Sequence, residues 1–75
     1  MIMRASPRDL AAELQRKADR ICSLIVGSDY PDIDIDIEIT NLRRWCDRYL
    51  PRRRELFELV YASRFRRLRE QFRSD

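Results

Sequence analysis

The chain has no histidine, one glycine, three prolines, two cysteines and a single lysine among 75 residues. Each shortage removes a class of fold or function. Without histidine, no side chain has an ordinary charge change near neutral pH, so acid–base catalysis lacks its usual agent. Gly27 is the only glycine, which excludes a glycine-rich phosphate loop. So few turn residues also argue against a sandwich or barrel of many short strands and for a few long elements. Cys22 and Cys46 form no C-x-x-C pair, fall short of the four ligands of a structural zinc site, and are too few for a disulfide framework. The longest apolar block, residues 21–26, is interrupted by Ser23 and is far too short to cross a bilayer. Met1-Ile2-Met3-Arg4 opens no signal-peptide pattern. A soluble cytoplasmic protein that does not engage a membrane is expected.

What is present is charge. Charged residues make up 39% and hydrophobic residues 44%, a balance that fits one small helical domain over residues 1–75, near the lower size limit for a self-sufficient core. Fifteen of the sixteen basic residues are arginine. The arginine fork suits carboxylate and phosphate, yet a GC-rich coding bias gives the same preference more simply. A net charge of +3 does not establish a nucleic-acid binder.

The charge is unevenly laid out. Residues 29–39 hold five acidic side chains and no basic one, whereas residues 43–75 hold eleven arginines against five acids. The acidic joint lies between two basic arms. Its aspartates fail the EF-hand pattern, because positions six and twelve counted from Asp32 are Ile37 and Arg43. A helix would splay these carboxylates, so no metal is expected.

Three helices follow from periodicity. Ser6-Pro7-Arg8-Asp9 reads as a helix start with Ser6 as N-cap. From there Leu10, Leu14, Ala18, Ile21 and Ile25 form one stripe, joined by Ala11 and Cys22, and Gly27 is placed as the residue after the helix. Helix one is expected over residues 7–26. Tyr30-Pro31 favours extended backbone. In the next run Ile33, Ile35, Ile37 and Ile39 alternate with acids, a strand signature for 33–37. Against it, Ile35, Ile39, Leu42, Cys46 and Tyr49 recur at helical steps and run further, leaving only Ile37 on the wrong side. Helix two is therefore expected over 34–49, capped by Asp32 or Asp34. Leu50-Pro51 breaks and restarts the helix. Helix three, 51–72, has a two-part apolar pattern: a broad face of Leu56, Phe57, Leu59 and Val60, then a narrower stripe of Tyr61, Phe65, Leu68 and Phe72.

The predicted fold is an all-α, up-down-up three-helix bundle. That topology brings the acidic joint (Asp32, Asp34, Asp36, Glu38) beside Arg66, Arg67, Arg69 and Arg73. It gathers Arg4, Arg8, Arg44, Arg48, Arg52, Arg53 and Arg54 at the opposite end as a candidate anion or partner patch. With no catalytic signature and little room for a deep pocket, a non-enzymatic role without cofactor or small-molecule substrate is expected. The leading expectation is a small protein-interaction module, an accessory or regulatory subunit. It would bind another protein or itself through the end of helix three at Phe65, Leu68 and Phe72. The alternative is non-specific binding of nucleic acid or phosphate at the arginine-rich turn between helices two and three. A basic amphipathic surface helix is a weaker third reading.

Overall fold

The computed structural model describes residues 7–73. It shows an all-α bundle. Helix one spans Pro7–Gly27 and helix two Asp32–Tyr49. Helix three runs over residues 51–72 as four joined segments: a 3₁₀ turn Pro51–Arg53, an α turn Arg54–Leu56, a π-helical stretch Phe57–Ala62 and an α-helix Ser63–Phe72. The strand signature at 33–37 is overridden: those residues are helical. Ion pairs fix the order of the helices. Arg20 of helix one meets Glu38, Arg43 meets Glu58, and Arg69 of helix three meets Asp36, so each successive helix runs back along its predecessor.

The core is built from the expected stripes. Leu14, Ala18, Ile21 and Ile25 of helix one pack with Ile35, Ile39, Leu42 and Cys46 of helix two. Leu50 closes the turn, and Phe57 and Phe65 fill the third side. Trp45, Tyr61 and Leu68 pack half-buried around this cluster. At about 25 cal/mol per Å2, burying each such aliphatic or aromatic side chain stabilises the fold by roughly 1.5–3 kcal/mol.

Four details depart from expectation. Helix two begins at Asp32 rather than 34, and neither Asp32 nor Asp34 caps it. Pro31 occupies the cap position with no side-chain bond, and its carbonyl accepts from the Asp34 and Ile35 N–H groups at 3.0 Å each. Ile37 lies outside the core as its place on the wheel implies, at 52% exposure, and Ile33, now inside the helix, joins it at 69%. Gly27 is the last residue of helix one and does not take the left-handed backbone of a glycine cap. Ser28 donates instead to the Leu24 carbonyl at 2.7 Å and accepts from the Tyr30 N–H. The Ser6 cap lies outside the described residues.

The fourth departure is in helix three. Of the broad face Leu56, Phe57, Leu59 and Val60, only Phe57 is buried. The π segment is the reason. In a straight α-helix Phe57 and Phe65, eight residues apart, would point ~80° from each other. One extra residue in a wider turn brings the directions to within about 20°. Both rings then enter the core, 6.4 Å apart edge to face, while Leu56, Leu59 and Val60 are left outside. The two-part apolar pattern is the sequence mark of this register change.

Candidate functional site

Charge concentrates on two surfaces: the arginine-rich turn and the acidic joint with its arginine tail. At the turn, Pro51 sits at the start of a 3₁₀ segment and projects Arg52 and Arg53 into solvent. Neither has a carboxylate partner among the described residues, and the same holds for Arg8 and Arg44. Arg48 lies over the Tyr49 ring at 5.5 Å, and Lys17 lies over the Trp45 ring at the same distance. Trp45 and Tyr49 are themselves 5.4 Å apart. The end therefore presents two aromatic rings with cations over them, of which Lys17 also pairs with Glu13 at 3.7 Å. Arg54 does not belong to the set that lacks a carboxylate partner. It is held between Asp47 and Glu58 and is raised above its ordinary pKa, first by Asp47 and then by Glu58. Arg4 lies outside the described residues.

Glu58 was not singled out by periodicity, yet it ties helix two to helix three. Arg43 Nε donates to it at 2.7 Å and Arg54 Nε at 2.9 Å. The hydrogen bond from Arg43 is the first cause that holds its carboxyl below the ordinary glutamate range. A doubled arginine around one acid was invisible to a single-helix wheel, because Arg43 and Glu58 meet only across the turn.

At the other end the topology-based pairing holds for two acids. Asp36 accepts from Arg69, and Asp32 accepts from Arg73 at 2.9 Å. Glu38 faces the other way, to Arg20 at 2.8 Å and the Tyr30 hydroxyl at 3.3 Å. The Asp34 carboxylate has no cation beside it among the described residues. Arg66 and Arg67 are exposed and have no carboxylate partner among the described residues.

Arg73 does more than neutralise an acid. Its Nε donates to the Ile25 carbonyl at 2.9 Å, Nη2 to Leu24 at 2.8 Å and Ser28 at 3.0 Å, and Nη1 to Tyr30 at 2.5 Å as well as to Asp32. An arginine has five N–H donors, and all are used. Helix one has no basic residue in its last turn. Arg73 therefore supplies both the donors for its orphan carbonyls and the cation its dipole favours.

The expected interface at the end of helix three is only partly available. Phe65 is 1% exposed and is core, so no partner can reach it. Leu68 packs half-buried against the core, and Phe72 alone stays open, at 49%. The other exposed large apolar side chains are Ile33 and Ile37 on helix two, Leu56, Leu59 and Val60 on helix three, and, singly, Val26 and Tyr49. Burial raises both thiols, that of Cys22 and that of Cys46, above the ordinary range and away from reactive thiolate chemistry. Among the described residues, no group of three or more Cys, Asp or Glu side chains is placed to hold a metal ion, and no helix is long and apolar enough to cross a membrane. No family model, curated protein or solved structure matches the chain.

Proposed function

We propose that the chain is a small helical protein-interaction module, an accessory or regulatory subunit that assigns its chemistry to a partner. The observation that carries this reading is the second set of apolar side chains. Ile33 and Leu59 are each 69% exposed, on helix faces turned away from the core. Helical sequences commonly place polar residues there, and exposed apolar sets mark contact surfaces: Ile33 with Ile37 is one such set on helix two, and Leu56, Leu59 and Val60 another on helix three. The interaction surface moves from Phe65 to helix two and the first half of helix three.

A photo-crosslinking residue at position 37 or 59, introduced in the cell of origin, tests the reading. Protein adducts are expected at both sites and not at the exposed, charged control position 16. Absence of adducts at 37 and 59 alike would refute it.

One observation favours a second reading. Arg44, Arg52 and Arg53, without a carboxylate partner among the described residues, share an end of the bundle with Trp45 and Tyr49, which suits non-specific binding of single strands by stacking and phosphate contact. Trp45 is the only tryptophan. Its fluorescence should change on adding an oligonucleotide at low salt and recover at high salt. A flat titration at low salt would remove this alternative.

A further inference from the structure

Helix two has two faces. One carries Ile35, Ile39, Leu42 and Cys46 into the core. The opposite one carries Ile33, Ile37, Thr40 and Arg44 at steps of four, three and four, the spacing of a coiled-coil seam. These residues, with Asp36 and Asn41, line one continuous open groove of about 360 Å3 along the helix. The groove is apolar at its N-terminal end and basic at its C-terminal end. Unpaired charges follow the same polarity: Asp34 beside Ile33 at one end, Arg44 at the other.

We infer that this face binds a second copy of the chain, helix two against helix two and antiparallel. The inference rests on the interaction reading above and names its partner. The charge order selects the orientation. A parallel pairing sets Arg44 against Arg44 and Asp34 against Asp34, which repels at both ends. An antiparallel two-fold places Ile37 across from Thr40 of the second copy and Ile33 across from Arg44 of the second copy. The arginine's methylene stem then covers Ile33, and its guanidinium reaches Asp34. The two charges that lack a partner beside this face are thereby paired, twice per dimer. A two-fold makes each contact reciprocal and closes the assembly at two copies.

The surface available sets the strength. The seam from residue 33 to 44 is about 16 Å long, and a standard interface buries about 800 Å2 per partner. Out of 5828 Å2 of exposed surface this face offers a contact at the small end of the range. A dissociation constant of about 10–100 μM is expected.

Sedimentation equilibrium from 5 μM to 1 mM (roughly spanning that constant) tests the inference. Wild type should pass from monomer to dimer and stop there. Ile37→Lys should weaken the dimer by on the order of a hundredfold. Asp34→Arg and Arg44→Asp should each weaken it, and the double variant should recover it, because the swap restores the pairs. Circular dichroism on each variant confirms retained helix, as all three positions lie off the core. A monomer at 1 mM would overturn the homodimer while leaving adducts at 37 and 59 to decide the broader reading. A dimer indifferent to Ile37→Lys, or one not rescued by the swap, would likewise overturn this seam and its orientation.

Discussion

Truncating Arg73 to alanine should destabilise the bundle out of proportion to its position at the end of the described chain. The side chain is only 14% exposed and donates five hydrogen bonds, four of them to carbonyls of helix one and the connection. A typical protein hydrogen bond contributes roughly 1 kcal/mol net and one with a charged partner about 1.5–3 kcal/mol, so the typical figure is a lower bound for each of these. Four carbonyl bonds then give about 4 kcal/mol. The Asp32 pair adds at most about 1 kcal/mol, since that carboxylate is 58% exposed. Ordering the long side chain costs about 2 kcal/mol. The balance is a loss of about 3 kcal/mol in Arg73→Ala. For a domain this size, each kcal/mol shifts the melting midpoint by about 4–8 °C, so a fall of roughly 12–24 °C is expected. Arg73→Lys should lose most of this, because an ammonium cannot reach four carbonyls as a planar fork. Asp32→Asn should lose less than about 1 kcal/mol. Urea titrations of the three variants give the values. An Arg73→Ala variant within about 0.5 kcal/mol of wild type would refute the assignment of helix one's C-terminal cap to this residue.

Four further outcomes follow from the same packing. Deleting Leu59 should be tolerated, with the melting midpoint unchanged or raised, because it converts the π turn to α and leaves Phe57 and Phe65 in register. Deleting Arg67, within the regular α segment, should destabilise at least as much as Arg73→Ala, since Leu68, Arg69 and Arg73 beyond the cut rotate by ~100° away from their partners. Gly27→Ala should stabilise by about 0.5–1 kcal/mol, as the backbone there is ordinary helix and an added methyl meets nothing within 4 Å. Glu58 is held low by Arg43 and Arg54, so its contribution is complete above the ordinary glutamate range and is lost as pH falls through its depressed folded value. Glu58→Gln should therefore flatten the acid limb of a stability–pH curve and change little near neutrality beyond a constant offset.

Helices one and two were legible because their stripes are regular: Leu14 to Ile25 and Ile35 to Cys46 keep one phase from end to end. The pairs Asp36–Arg69 and Asp32–Arg73 were legible from topology alone, since antiparallel order brings those ends together. Helix three was only half legible. A wheel of fixed period cannot hold an inserted residue, so Leu56, Leu59 and Val60 read as core when they are the residues turned out by the π segment. Gly27 misled for a related reason: glycine is a local stop signal, whereas this helix is closed by a guanidinium 48 residues beyond Ile25. Phe65 looked like the seat of an uncovered end because sequence shows that helix three is long and does not show which neighbours cover it. Ile33 and Ile37 carried the strongest hint of an outward apolar face, since they could satisfy no single helical stripe with Ile35 and Ile39.

The account turns on two apolar sets, one that folds the chain and one that is spare. The direct measurement is the urea midpoint of the triple variant Ile33→Gln, Ile37→Gln, Leu59→Gln at 5 μM, below the expected dissociation constant. Glutamine keeps helix propensity while removing the apolar surface. The account predicts a stability within about 0.5 kcal/mol of wild type. A loss of about 3 kcal/mol or more would contradict it, because those side chains would then belong to the core and no spare surface would be left for a partner.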